Sequence, residues 1–340
     1  MAVTARRTQR ILDHGTTSGR GVLSRLSLCA IGHPDKTSKG GQEMTVCIAA
    51  ICEEGTSAVL ASDTMVTNRM IPIEFEHPSK KMTPLADNCL ALTAGDALAH
   101  SELFAMVRSE VHRFKDPTVE HVVSVIKKCY QSVRQQEIRE RLLLPRGIVD
   151  LARFYKIQRA LLPEIAAGIQ TQIDEYDYGL EIIVAGTTGK SAHVYSVTDP
   201  GTSQCYDAIN FHAIGIGVRH ALNALITRGC YAGTPLLDAL MMVYEAKTMA
   251  ENAPGVGSTT DITIMSQEGI IDLRRDDIQR MGAAYDKWVR HDPNWTQDLK
   301  LILTGKHDEN TGSSPEAVPP GPAEVQEGTD RSSPEVSSES

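Results

Sequence analysis

Two short runs near residue 50 constrain the fold of this chain more than any other feature. Met44–Cys52 (MTVCIAAIC) and Ser57–Asp63 (SAVLASD) are almost wholly apolar or small, and only Glu53-Glu54-Gly55-Thr56 separates them. A polar break of that length between two such runs reads as a hairpin. Strands without polar alternation have to be covered on both faces. The rest of the chain must therefore supply layers above and below this pair.

The remaining patterns supply them. Lys81–Leu85 and Cys89–Ala94 form a second strand pair around a turn at Asp87-Asn88. Helical periods follow over Ala97–Phe114 and, after Asp116-Pro117, over Val119–Leu142. Pro117 suits a helix start, where a missing N–H does no harm. Residues 146–175 read as one or two more helices, broken near Leu162-Pro163. Strands resume at Leu180–Ala185 and Ser191–Val197, with a weaker one at Tyr206–Ile209. Helices are expected over Val218–Arg228 and Leu236–Asn252, then a strand over Asp261–Ser266 and a last helix over Arg274–Val289. Strands and helices come in groups, which suggests stacked layers rather than a βαβ parallel sheet.

The two ends differ from this middle. Residues 1–43 are rich in Arg, Ser, Thr and Gly and lack a sustained apolar period. They read as a disordered leader, a propeptide, or an extension upstream of a start at Met44. An organelle transit peptide is a minor alternative on composition. The 304–340 tail is rich in Pro, Ser and Glu and cannot offset its ordering entropy by burial. The foldable unit is 44–303, a single domain.

Composition narrows the function classes. A net charge of -9 has the wrong sign for attraction to a phosphate backbone. Aromatic residues, at 5%, are too few for base-stacking platforms. No run approaches the ~20 apolar residues that span a bilayer. The seven Cys are odd in number and sit mostly in apolar runs, which reads as reduced thiols in a cytoplasmic protein. Neither nucleic acid nor membrane is expected as a partner.

Several apparent motifs fail on inspection. Val184–Ser191 (VAGTTGKS) has Val184 where a phosphate loop needs its first Gly, and the strand-like HVYSV follows it. A β-turn explains Gly186–Gly189 better. Gly215-Ile216-Gly217 opens a dinucleotide fingerprint that His220 breaks. Cys47 and Cys52 have no second pair at zinc spacing, and no HExxH occurs among the eleven His. No metal and no cofactor are expected.

One motif holds. Thr45 follows Met44, and a small residue after an initiator Met becomes the new N-terminus. An N-terminal Thr combines a hydroxyl nucleophile with its own α-amine, a general base of pKa about 7.7–8.0. A strand Thr of no consequence is the plain alternative, since Thr is common in strands. The neighbourhood strengthens the functional reading. Ala61-Ser62-Asp63-Thr64 ends the second strand, and Lys81 stands fourteen residues before Gly95 in KMTPLADNCLALTAG. Residues 44–95 thereby resemble the β-type subunits of the proteasome, and more closely the short bacterial proteasome homologues known as Anbu. The Anbu-like opening Thr-x-Cys-[VI]-[AG] is matched by Thr45-Val46-Cys47-Ile48-Ala49. Later segments, FHAIGIGVRHA at 211–221 and GSTTDITIM at 257–265, are similar in the right order. The resemblance covers about 44–290, apart from a helical insertion over 143–176.

That resemblance implies an α+β fold, a four-layer αββα sandwich with two antiparallel sheets between helices. It implies a threonine-type endopeptidase, an N-terminal nucleophile hydrolase acting on peptides or unfolded protein. Thr45 would be the nucleophile, Lys81 would favour its deprotonation, Asp63 would hold Lys81, and the Gly95 N–H would meet the oxyanion. Thr93 and Thr64 would border the substrate, and Ser258 and Asn252 would be accessory groups. Lys80 is the alternative to Lys81. Ile216 and Ala253 stand where the family usually has a Ser and an Asp. A homo-oligomeric ring or spiral is implied; the sequence leaves an ATPase partner open. A catalytically silent assembly subunit and an amidase acting on a small amide are the rival readings.

Overall fold

The computed structural model describes residues 45–67, 74–76, 81–96 and 99–304. Residues 1–44, the residues beyond Thr304, and Lys80 lie outside the described residues. The first hairpin is β1 (Cys47–Cys52) and β2 (Ser57–Asp63), and every residue of both is buried. Its tip carries positive φ at Glu53, Glu54 and Gly55. Three such residues in succession are held from outside. The Glu53 N–H donates to the Thr234 carbonyl, and the Glu53 carboxylate accepts from the Leu236 N–H.

The chain continues through β3 (Met65–Thr67) and β4 (Glu74–Glu76), a two-stranded antiparallel pair. Then come β5 (Met82–Ala86), β6 (Cys89–Gly95), α1 (Ala99–Val111) and α2 (Val119–Ile138). Thr118 caps α2 by accepting from the His121 N–H. The helix expected to 142 continues past α2 as a π-helix over Arg139–Leu143. The insertion follows as α3 (Leu151–Ile157) and α4 (Pro163–Asp174), with its own small core around Phe154, Leu143 and Ile173. Strands β7 (Leu180–Thr188), β8 (Ser191–Thr198), β9 (Thr202–Cys205) and β10 (Phe211–Ile214) come next. The chain ends with α5 (Val218–Arg228), α6 (Leu236–Ala250), β11 (Thr260–Ser266), β12 (Gly269–Asp272), α7 (Arg275–Val289) and α8 (Trp295–Thr304).

Two five-stranded antiparallel sheets result, in the orders β10-β1-β2-β11-β12 and β5-β6-β7-β8-β9. Strand alternation sorts their side chains. Ile48, Ala50, Val59 and Ile262 pack against α5, α6 and α7 through residues such as Leu240, Val243 and Met281. Ala91, Ile182 and Val184 pack against α1 and α2 through Phe104, Val122 and Ile126. The opposite faces meet in a third cluster, where Cys47, Ala49 and Leu60 contact Leu92, Ile183 and Val194. The first hairpin is thus covered on both faces, as its apolar runs require.

The turn expected over Gly186–Gly189 lies later: Gly186–Thr188 belong to β7, and Gly189 (φ 62) with Lys190 joins β7 to β8. The strand expected at Tyr206–Ile209 is a turn instead. The Ile209 and Asn210 N–H groups both donate to the Tyr206 carbonyl. Asp207 in that turn accepts from Val194 N–H and bonds His193 Nδ1 at 2.7 Å. Its carboxylate thus ties the segment to β8 beside a backbone bond from the Tyr206 N–H to the Val194 carbonyl. Among the described residues, no helix is long and apolar enough to cross a membrane. The six described cysteines are all free thiols, and Cys205 alone of them is exposed.

Gly186 shows how closely the second sheet and α2 approach. A Cβ there would lie 2.6 Å from the Asn88 carbonyl oxygen and 2.7 Å from Val119 Cγ2. Overpacking of that kind costs about 1–3 kcal/mol. Gly186→Ala is expected to lower stability by that amount in chemical denaturation, with an unchanged denaturant slope.

Candidate active site

Thr45 lies two residues before β1, and strand pairing fixes its place. Cys47 pairs with Ile214 on one side and with Ser62 on the other. Asp63, the last residue of β2, therefore sits beside Val46. The Asp63 N–H donates to the Val46 carbonyl at 3.2 Å, and the Val46 N–H donates to Asp63 Oδ1 at 3.0 Å. This exchange aims the Asp63 carboxylate back at Thr45, whose hydroxyl donates to Oδ1 at 2.5 Å.

Lys81 enters from the other sheet, one residue before β5. Its ammonium donates to Asp63 Oδ1 at 2.7 Å and to Thr45 Oγ. The side chain of Lys81 is 12% exposed and that of Asp63 0%. Removing one partner of such a buried pair typically costs about 3–5 kcal/mol. The other carboxylate oxygen, Oδ2, accepts from the Met65 and Gly257 N–H groups, each at 3.1 Å. Asp63 is thus held by five donors from four parts of the chain. A hydroxyl between an ammonium and a carboxylate is poised to lose its proton and act as a nucleophile.

Thr45 is also held through its backbone. Its carbonyl accepts from the Gly217 N–H at 3.3 Å. Gly215 lies against it with φ 86, and a Cβ on Gly215 would fall 2.4 Å from the Thr45 carbonyl oxygen. The Gly215 N–H in turn donates to Glu181 Oε2 at 2.9 Å. Glu181 stands opposite Ala94 on β6, next to the Gly95–Leu180 pair. Gly95 ends β6 with φ 127. Sequence reasoning missed Glu181, Gly215 and Gly257. A lone Glu in the apolar run LEIIVAG was the available signal for the first.

The other expected residues are placed as follows. Thr93 is buried on β6, and its carbonyl accepts from Cys47 Sγ at 3.4 Å. Its side chain shares a face with its partner Ile182, which belongs to the α1–α2 cluster. Thr64 is buried beside Asp63, and its hydroxyl has no partner among the described residues. Ser258 gives its carbonyl to Lys247 at 2.9 Å. Asn252 is exposed, and its amide donates to the Met249 carbonyl at 2.9 Å, within its own turn. Burial pushes the Cys47 thiol up to about 12, with Lys81 opposing that shift and Asp63 adding to it. Cys47 is therefore a neutral neighbour of the site. Among the described residues, no group of three His, Cys, Asp or Glu could hold a metal ion.

No protein-family model matches this chain, and a search of curated proteins finds no significant match.

Gly215 and Gly229 separate crowding at Thr45 from backbone strain. Both have positive φ, but a Cβ at Gly229 would meet nothing within 4 Å. Each Ala substitution carries a backbone cost of about 1–3 kcal/mol. Gly215→Ala also drives a methyl into Thr45. It is expected to lose about 1–3 kcal/mol more than Gly229→Ala in thermal denaturation.

Proposed function

We propose that this chain is a proteasome-like threonine peptidase of the N-terminal nucleophile class, built as a four-layer αββα sandwich. The observation that carries the reading is the Lys81 ammonium bonded to both Thr45 Oγ and Asp63 Oδ1. The two sheets with a shared core between them, and helices packed on each outer face, support the architecture.

The reaction requires Thr45 to be the first residue, because only then is its nitrogen an amine. Thr45 Oγ attacks the carbonyl carbon of a peptide bond, and its proton passes to the α-amine. Lys81 favours the deprotonated oxygen by its charge. The carbonyl oxygen becomes an oxyanion, met by the N–H of Gly95. Collapse breaks the C–N bond as the α-amine returns the proton to the departing nitrogen. The resulting ester on Thr45 is hydrolysed by water, which releases the acid and restores the hydroxyl. Thr64 borders the substrate in this reading, whereas the Thr93 side chain lies on the face that packs against α1 and α2. Peptides or unfolded chains are the substrates, the protein acts as a homo-oligomeric ring or spiral, and its compartment is the cytoplasm. Neither metal nor cofactor takes part.

The second reading is a silent assembly subunit. It is favoured by the peptide bond that joins Thr45 to residues 1–44 in the full chain. Variants of protein beginning at residue 45 separate the two. Thr45→Ala removes the nucleophile, and Lys81→Ala removes the charge that activates it. Each is expected to lower cleavage of a fluorogenic peptide panel by about two to three orders of magnitude. Thr45→Ser is expected to retain part of the rate. Undiminished cleavage by Thr45→Ala would place the nucleophile elsewhere, and a parent inactive across the panel would favour the silent subunit.

A further inference from the structure

Lys247 lies in the last turn of α6 and is 0% exposed. A buried ammonium is costly unless acceptors converge on it. Here they do. Its Nζ donates to Glu251 Oε1 at 2.6 Å, to the Gly257 carbonyl at 2.8 Å and to the Ser258 carbonyl at 2.9 Å. Glu251 is the C-cap of α6, and Gly257 and Ser258 belong to the irregular segment that leads into β11. The ammonium therefore clamps that segment to the end of the helix.

Gly257 links the clamp to the site. Its carbonyl faces Lys247, and its N–H donates to Asp63 Oδ2 at 3.1 Å. One residue away, Val256 packs at the Gly217 turn beside Val46 and Ala250. Van der Waals contact there sets the approach of the segment, but it does not aim an N–H. The aim comes from the polar clamp on the far side of Gly257. Orienting one carboxylate oxygen also orients the other, and Oδ1 is the oxygen that meets Thr45 and Lys81.

We infer that Lys247 is a positioning residue. Through Gly257 it holds the Asp63 carboxylate at the angle that presents Oδ1 to Thr45 and Lys81. The consequence for catalysis rests on the hydrolase reading, whereas the consequence for the Gly257 amide does not.

The test reads amide hydrogen exchange residue by residue, alongside kcat and KM on a fluorogenic peptide, in protein that begins at Thr45. Lys247→Met is expected to cut protection of the Gly257 and Met65 amides about tenfold. It is also expected to lower kcat by on the order of tenfold, with KM nearly unchanged. Glu251→Gln keeps an acceptor oxygen but removes the counter-charge of the buried ammonium, so it is expected to lower protection and kcat less than Lys247→Met does. If Lys247→Met does not fold, Lys247→Gln replaces it. That variant can still donate to a carbonyl, so its loss of protection is expected to be smaller, about threefold. Unchanged exchange at Gly257 and Met65 in a folded variant overturns the inference. Lowered protection with unchanged kcat in an active enzyme overturns it as well. A parent that cleaves no peptide refutes the hydrolase reading alone, and exchange then decides whether Lys247 holds Asp63.

Discussion

The carboxylate of Asp63 is wholly buried, and burial makes a charge depend on the groups around it. Its partners come from places that only the finished fold brings together. Val46 and Thr45 arrive through the β1–β2 register, Lys81 from the second sheet, Met65 from the step into β3, and Gly257 from the segment before β11. The two sheets are joined along most of their length by apolar contact, which is not directional. At this end they are joined by charge and hydrogen bonds, which are. The position of Thr45 relative to Lys81 is thus fixed by Asp63, and the chemistry available there follows from that geometry.

Backbone shape supports the same point from the other side of Thr45. Gly215 can lie against the Thr45 carbonyl because it has no Cβ and adopts φ 86. Glu181 holds its N–H from the neighbouring sheet. Thr45 therefore sits between a charged group that acts on its hydroxyl and a glycine turn that locates its main chain. In the proposed reaction, a Thr45 hydroxyl located from two sides would lose little freedom.

Much of the frame was legible in the sequence. The hairpins at 47–63, 82–95 and 180–198 follow from runs rich in apolar residues between turns that carry Gly, Asn or Asp. Several elements were not found, among them the mostly buried β10, whose four residues are too short a run to stand out. Strand β12 is exposed throughout, and its hydrogen bonds to β11, not burial, make it a strand. Helix α8 was missed because only Leu299 and Ile302 are buried in its ten residues. The Tyr206–Ile209 strand was misread because an Asp207 tie outweighs a weak apolar pattern. At the site, Thr45, Asp63, Lys81 and Gly95 stood out through the family resemblance that their order and spacing within 51 residues carry. Glu181 and Gly257 act across separations of 34 and 194 residues. No local pattern encodes contacts that depend on strand register at such distance.

The central claim is that Thr45, as the first residue of the working chain, is the nucleophile. Its most direct test is the mass of the N-terminal tryptic peptide after native protein is treated with an electrophilic peptide. The account predicts a chain that starts at Thr45 and a single adduct on the peptide spanning residues 45–69. A chain that still begins at Met1 yet cleaves peptides, or an adduct on any other peptide, would contradict it.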